Sequence, residues 1–211
     1  MSITLKIIDS IKGFASKVNT ELSKLLNNTI IKKKGKLTSD IKLFVQKQLL
    51  LQPEVKALTQ DAGPNSLNAM IGISLSQGTA AVTEIINIIS SSVRVDIKKF
   101  DNNLKGGVDL VFVDINIQNL KSLPSGSLEI LGGELNWIDW LLTKGDTPVI
   151  IGYRYSASTG GRTGGGIMKP GGTFRIPPEY SGTEDDNFIT RAFVGESQSK
   201  EITNIVSRIL S

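Results

Sequence analysis

The chain has 211 residues, a formal net charge of +4 and a hydrophobic content of 39%. A chain of this size buries about 70% of the surface of its unfolded form, so it needs neither a disulfide nor a metal to hold a core. It contains no cysteine and no histidine, which excludes disulfides, thiolate zinc sites and cysteine nucleophiles and removes the commonest general base.

The first predicted element is a helix over residues 5–27, because apolar residues recur there every three or four positions. These residues are Ile7, Ile11, Phe14, Val18, Leu22 and Leu25. Such a stripe is typical of a helix packed on its own domain, and the alternative is a helix docked on a neighbouring subunit. The basic, glycine-containing run at residues 32–36 predicts a break. An N-terminal helix and basic linker are therefore assigned to residues 1–36, and a single domain to residues 37–211.

Helices are predicted next over residues 39–50, from Pro53, over residues 66–71 before Gly72, and over residues 78–91. The apolar pattern then changes to strict alternation, which predicts two strands joined as a β-hairpin, at residues 93–100 and 108–117. This strand pair is expected to form the body of the sheet.

Further along, the pattern predicts a helix over residues 134–144 that carries both tryptophans and a strand over residues 149–155. A glycine-dense loop follows, with short strands near residues 167–168 and 173–176. The last two predicted helices span residues 186–194, with Asp185 or Asp186 as N-cap, and residues 198–210. The order of elements indicates an α+β fold with N-terminal helices, an antiparallel sheet with a β-hairpin and a long glycine-rich loop, and C-terminal helices.

Three motifs invite a chemical interpretation. The glycine run at residues 160–166 lacks the following helix that a phosphate-binding loop requires, so a long hairpin loop or lid is favoured. The acidic run at residues 184–186 is typical of a helix N-terminus and matches no calcium-loop spacing. The basic run at residues 32–36 is typical of a solvated linker, with DNA phosphates as the alternative partner. We therefore expect that the chain is not an enzyme and that it binds neither a metal nor a cofactor.

Two sets of residues are candidates for contacts in an assembly. Trp137 and Trp140 share a helix face, where core packing is the ordinary role, although tryptophan is also enriched at interfaces. The loop at residues 156–172 is expected to be mobile in the free subunit and ordered by a neighbour, because its glycines make ordering costly. Four cations in and beside this loop are spaced to meet acidic groups on an adjacent chain: Arg154, Arg162, Lys169 and Arg175.

The polar face of the predicted hairpin carries Asp109 and Asp114. No apolar run reaches the roughly 18 residues of a membrane span, and the N-terminus lacks the pattern of a signal peptide. A soluble protein made in a cytoplasm is expected.

Residues from about 40 to 195 resemble a known family, and the segment 134–192 carries the more specific part of the likeness. The motifs that carry it are Gln52-Pro53-Glu54-Val55, Trp137-Ile138-Asp139-Trp140, Arg162-Thr163-Gly164-Gly165-Gly166 and Phe174-Arg175-Ile176-Pro177-Pro178. The chain is similar to the neck, tail-completion and virion-morphogenesis proteins of contractile-tailed bacteriophages.

The resemblance implies a virion structural protein that forms a homo-oligomeric ring at the head-tail junction, with no catalytic residues. Its neighbours would be other neck, tail-tube or sheath proteins, made with it in a host cytoplasm, and DNA would pass through without specific binding. The channel-facing candidates would then be Asp109 and Asp114, because mixed or acidic charge lets the duplex pass whereas strong phosphate contacts would retain it. The alternative is that these two carboxylates face solvent outside. A six-fold tail terminator or tail-completion ring fits the size better than a twelve-fold head-completion adaptor under the portal. A nucleic-acid-binding module is the alternative from another class, and a hydrolase with an unrecognised site is a third.

Overall fold

The computed structural model describes residues 10–60, 63–113, 116–130, 133–158, 160–161 and 165–210. Eight helices and six strands occur in these ranges, which confirms the α+β class. In chain order they are α1 (Ile11–Leu50), α2 (Pro53–Thr59), α3 (Leu67–Ile71), α4 (Leu75–Ser91), β1 (Val93–Lys98), β2 (Gly107–Phe112), α5 (Ile117–Lys121), β3 (Ser127–Ile130), β4 (Gly133–Asn136), α6 (Ile138–Leu142), β5 (Ile150–Ala157), β6 (Gly166–Phe174), α7 (Phe188–Arg191) and α8 (Glu196–Leu210).

The chain forms two compact units whose bounds differ from the predicted division at residue 36. Unit 1 comprises Met1–Ile41, Val93–Val113 and Ser199–Ser211, and unit 2 comprises Lys42–Ser92 and Asp114–Gln198. The strands pair only locally, as three antiparallel two-stranded sheets: β1 with β2, β3 with β4, and β5 with β6. The prediction that the β1–β2 hairpin forms the body of a larger sheet is therefore wrong for the described residues.

Helix α1 is continuous through residues 32–36, so the prediction of a break and a linker there is wrong. Lysine is a good helix former, and one exposed glycine costs only about 1 kcal/mol, so this run does not interrupt the helix. Leu37 and Ile41 are fully buried and continue the apolar face beyond it. The helix is also held by Asn27, whose side chain donates to the Phe100 carbonyl at 3.0 Å and accepts from the Phe100 N–H at 2.8 Å.

Unit 2 contains the shorter helices, and local signals fix where they begin and end. Pro53 begins α2, as predicted, because its missing N–H is not needed in a first turn. Ser66 caps α3 by accepting from the Ala69 N–H, and Gly72 ends that helix in the left-handed region at φ 88°. Ser74 and Gln77 form a reciprocal capping box at the start of α4.

Three predicted elements have different bounds in the structure. The second strand of the first hairpin ends at Phe112, and Ile117 begins helix α5 behind its cap Asn116, so the strand prediction over 108–117 is too long. Residues 133–136 are strand β4 rather than the start of the tryptophan helix, because Leu135 pairs with Leu128 of β3. The cap of α7 is Asn187, whose amide oxygen accepts from two backbone N–H groups, and not Asp185 or Asp186.

Glu54 is a buried charge that ties α2 to α7 inside unit 2. Its side chain is completely buried and forms an ion pair with Arg191, which also pairs with Asp186 at 2.8 Å. Burial raises the pKa of Glu54, while its backbone hydrogen bond and the Arg191 guanidinium oppose that rise. The core around it consists of apolar side chains of the helices and of β6, among them Val55, Leu58, Ile85, Ile89, Trp137, Ile138, Leu141, Phe174 and Phe188.

Replacing Gly78 by alanine is expected to lower the free energy of unfolding by about 1 to 3 kcal/mol, as overpacking does. The added Cβ would lie 2.3 Å from Asn68 Oδ1 and 2.6 Å from the Leu58 carbonyl oxygen. Asn68 is itself held there by donating to that carbonyl at 2.9 Å. The control is Gly35→Ala in α1, where nothing lies within 4 Å. This control should stabilise by up to about 1 kcal/mol. Urea unfolding followed by circular dichroism measures the free energy of unfolding of both variants. Equal changes in the two variants would contradict the close packing at Gly78.

Replacing Arg191 by methionine is expected to destabilise the protein by about 3 kcal/mol at pH 7, because Glu54 is left as an unpaired buried charge. Since the folded-state pKa of Glu54 is raised, its protonated form favours folding below about pH 4, and that contribution is lost as the pH rises through the folded-state pKa. The loss should therefore be smaller at pH 4 than at pH 7. Adding Glu54→Gln to this variant should recover stability at pH 7. An equal loss at both pH values would contradict the buried-charge explanation.

Candidate functional site

The hairpin of β5 and β6 combines most of the residues that the sequence suggested for assembly. Its register pairs Ile150 with Phe174, Arg154 with Lys169 and Ala157 with Gly166. The register shifts between Ile151 and Tyr153, where Gly171 and Gly172 of β6 lie opposite Gly152 alone and form a bulge in β6. The predicted mobile loop is therefore wrong for residues 166–172, which belong to a continuous strand.

One face of this hairpin is packed on its own unit. Tyr155 lies opposite Met168, and its ring is 6.1 Å from that of Phe174. The Tyr155 hydroxyl is in hydrogen-bonding reach of the carbonyls of Pro64 and Gly165, the latter at 2.7 Å. Burial raises the pKa of this phenol. Met168 and Phe174 also line an apolar cavity together with Met70, Ile71, Trp137 and Trp140. The inner face thus fixes the hairpin to unit 2.

The other face, called the outer face here, is exposed and carries Ile151, Arg154, Ile167 and Lys169. Side chains alternate between the two faces of a strand, and the register shift between Ile151 and Tyr153 interrupts that alternation. Ile151 is 78% exposed and Ile167 is 37% exposed. Arg154 and Lys169 lie directly opposite each other, and like charges in this position are destabilising. Neither cation forms an ion pair within the described ranges.

The β1–β2 hairpin shows how a like-charged pair is normally accommodated. Asp96 lies opposite Asp109, which is the same kind of repulsive arrangement with negative charges. Here each carboxylate has a cation: Arg94 pairs with Asp96 at 2.9 Å, and Lys98 pairs with Asp109 at 2.6 Å. The charges on this hairpin therefore cancel within the chain, whereas those on the outer face of β5–β6 do not.

The remaining candidates from the sequence have varied positions. Trp137 and Trp140 are 1% and 8% exposed, so they form part of the core, and the ordinary packing role holds for both. The indole of Trp140 donates to the Thr147 carbonyl at 3.2 Å, and Lys144 lies 4.5 Å from its ring centre. Arg175 pairs with Asp146 at 3.1 Å. Arg162 lies outside the described residues. Of the four interface cations, the structure thus brings Arg154 and Lys169 together.

The two channel-facing candidates are Asp109 and Asp114. Asp109 is in β2, where its charge is neutralised by Lys98, so it contributes little to an acidic lining. Asp114 lies outside the described residues. A position facing a channel stays a prediction for both.

The stripe on the N-terminal half of α1 is exposed. Phe14 is 60% exposed and Leu25 is 64% exposed, with Val18 and Leu22 each 39% exposed between them. Packing on the helix's own domain is therefore the wrong interpretation for these residues. The lysine run follows on the same helix, where Lys33 donates to the Ile209 carbonyl at the C-terminal end of α8, at 2.8 Å. A cation at a helix C-terminus is favourable.

The motifs weighed for chemistry have structural surroundings that favour the ordinary interpretations. The glycine run lies between strands β5 and β6, so it does not lead into a helix as a phosphate loop does. Asp186 of the acidic run pairs with Arg191. The described residues contain no group of three acidic side chains that is arranged for a metal ion.

Register is what the sequence did not reveal at this site. The glycines at residues 160–166 and 171–172 suggested a loop between short strands, and no local signal places Arg154 opposite Lys169.

Comparisons with family models, curated proteins and solved structures found no match. Among the described helices, none has the length and apolarity needed to cross a membrane.

Replacing Lys169 by glutamate is expected to stabilise the isolated subunit by about 0.5 kcal/mol, because a cross-strand repulsion becomes an attraction to Arg154. Lys169→Gln is the matched control and should give a smaller gain, since it removes only the repulsion. The gain of the glutamate variant should shrink in about 1 M salt. Urea unfolding of dilute protein at low and high salt measures these differences. A loss of stability on Lys169→Glu would show that the cation has a partner in its own chain.

Proposed function

We propose that this chain is a structural subunit of the ring that joins head to tail in a tailed bacteriophage, in the tail-terminator or tail-completion layer. The observation that carries the proposal is the outer face of the β5–β6 hairpin. It is a fixed, exposed surface with two isoleucines and two cations that have no ion-pair partner in the described parts of the chain. The resemblance of residues 134–192 to neck proteins supplies the particular assembly.

A ring subunit needs two different surfaces, because a head-to-tail contact that closes by rotation joins unlike patches on neighbouring copies. The β5–β6 hairpin, whose inner face is packed on unit 2, provides one of these two surfaces. Its Tyr155 and Phe174 hold it to unit 2, so little order must be acquired when a neighbour binds the opposite side. Exposed isoleucine side chains add apolar area that is covered only in an assembly.

The function is proposed to be one of binding and not of catalysis. The chain lacks histidine and cysteine, and among the described residues the ionisable groups with raised pKa values are Glu54, in an ion pair inside the core, and Tyr155, under the hairpin. Both have structural partners that account for their positions. Strongly perturbed groups in a cleft would instead favour an active site.

The proposal is tested by the native mass of the purified protein, alone and with the tail-tube protein, and by a reconstruction of the virus particle. We expect a ring with six copies at the head-proximal end of the tail tube. A ring of twelve copies under the portal would favour the head-completion adaptor. An isolated monomer away from the neck would refute the proposal.

The nucleic-acid-binding alternative is addressed by titrating duplex DNA at rising salt concentration. A protein that binds through many phosphate contacts loses about a thousandfold or more in affinity between low and moderate salt. We expect weak binding that lacks this steep dependence, because DNA would only pass through the ring. Tight binding with a steep salt dependence, together with a monomeric mass, would support the nucleic-acid-binding module.

A further inference from the structure

The cations of the β5–β6 hairpin belong to a segment whose charge is all of one sign. Residues 147–178 contain four cationic side chains and no acidic one. The next eight residues, 179–186, have the opposite composition, with four acidic side chains and no cationic one. These eight residues are called the acidic segment here. Two oppositely charged stretches thus follow each other directly in unit 2.

The acidic segment is exposed and held in place. Glu179, Glu184 and Asp185 are exposed, and none of the three forms an ion pair within the described part of the chain. The backbone around them is tied down on both sides. The Gly182 N–H donates to the Trp140 carbonyl at 2.9 Å, and the Asn187 side chain donates to the Thr183 carbonyl at 2.8 Å. These carboxylates are therefore presented on a fixed backbone.

The two surfaces do not neutralise each other within one subunit. Arg154 and Lys169 make no ion pair with the acidic segment, and the other two cations of the basic stretch are Arg175, paired with Asp146, and Arg162, outside the described residues. The only acid of the segment with a cation among the described residues is Asp186, paired with Arg191 of α7. Opposite charges that remain separate in one copy can meet between two copies.

We propose that the outer face of the β5–β6 hairpin binds the acidic segment of a second copy of this chain. Arg154 and Lys169 provide the positive side of the contact, and Glu184 and Asp185 provide the negative side. Ile151 and Ile167 are covered beside the cations. This inference deepens the proposed function, on which it rests for the ring, by naming the partner of the hairpin and the contact between neighbouring subunits.

The arrangement explains why a repulsive pair is retained on the hairpin. Arg154 and Lys169 destabilise each other in the free subunit, and a neighbouring carboxylate pair removes that repulsion. Because the two surfaces differ, each copy uses its hairpin toward one neighbour and its acidic segment toward the other, a head-to-tail contact that gives a ring when the rotation between copies closes. Complementary charge also sets which surfaces meet, since wrong pairings bring like charges together.

The test uses two charge-reversed variants of the full chain. The first, Arg154→Glu with Lys169→Glu, makes the hairpin acidic, and the second, Glu184→Lys with Asp185→Lys, makes the acidic segment basic. Asp186 is left unchanged because it pairs with Arg191. The control, Lys32→Glu with Lys34→Glu, changes the net charge as much as the first variant does, at exposed positions of α1. Circular dichroism checks that each variant is folded. The single variant Lys169→Glu is expected to be more stable than the unchanged subunit, so its loss of association could not be caused by misfolding.

Each reversed variant alone should associate at least about thirtyfold more weakly than the unchanged protein, because like charges then face each other. Mixed in equal amounts, the two variants should assemble again, since each hairpin finds an opposite charge on the other variant. The mixed ring alternates the two variants and therefore contains an even number of copies. The control should assemble normally. Native mass spectrometry measures all of these samples, the unchanged protein included, and association of the unchanged protein should weaken at about 1 M salt.

Several outcomes would overturn the inference. If either reversed variant assembles like the unchanged protein, the ring uses other surfaces, and the proposed function stands without this contact. If both variants fail alone and in the mixture while remaining folded, the two surfaces do not meet each other. If the unchanged protein stays monomeric at high concentration and low salt, both the inference and the self-assembling ring fail. Duplex DNA that binds the unchanged protein but not the first variant would assign the cations to phosphates instead.

Discussion

A two-stranded sheet is only marginally stable in water, and this chain builds its strands into three separate sheets of that size. Each sheet needs one face covered by other parts of the chain. For β5–β6 that face contains Tyr155, Met168 and Phe174, and for β1–β2 it contains Val93 and Val95, which are almost completely buried. Packing therefore determines one face of each hairpin, while the opposite face is free to carry charges that serve another purpose.

The exposed faces of the β1–β2 and β5–β6 hairpins differ in how their charges are paired. Asp96 and Asp109 face each other on one, and both have a cation in the same sheet. Arg154 and Lys169 face each other on the other, in a stretch of 32 residues without a single acidic side chain. Exposed ion pairs are worth little for stability, so balancing the first hairpin does not explain its fold. What differs is the net charge each surface presents, and a surface with uncompensated charge attracts an oppositely charged partner over about 10 Å.

The sequence was most informative where structure depends on near neighbours. Pro53 and Gly72 act within one helical turn, and their predicted roles at helix ends are confirmed. It was misleading where a weak local signal competes with burial. The lysine run with Gly35 suggested a linker, but the buried face of α1 continues through it. Residues 133–136 suggested a helix, but pairing with β3 makes them a strand. The first outcome depends on burial and the second on pairing with a neighbouring strand, and the apolar spacing within one element shows neither.

The candidate site shows the same division between composition and geometry. Its cations were identifiable from the sequence, because they lie in and beside a glycine-rich stretch. That Arg154 lies opposite Lys169 follows from the register of β5 and β6, whose inner face is packed through Tyr155 and Phe174. The tryptophans illustrate the reverse case. Their residue type suggested an interface, but their burial places them in the core, so residue type alone does not identify a surface.

The proposed contact follows from the different ranges of two forces. Apolar contact acts only when surfaces touch, and exposed isoleucines by themselves favour many wrong neighbours as readily as the right one. Charge acts before contact, so an uncompensated basic face and an acidic segment orient two approaching copies and make other orientations unfavourable. The isoleucines at the edges of the cation pair then add buried area once the orientation is set. A subunit that paired these charges internally would be slightly more stable alone, but it would lose the charge complementarity on which the proposed contact depends.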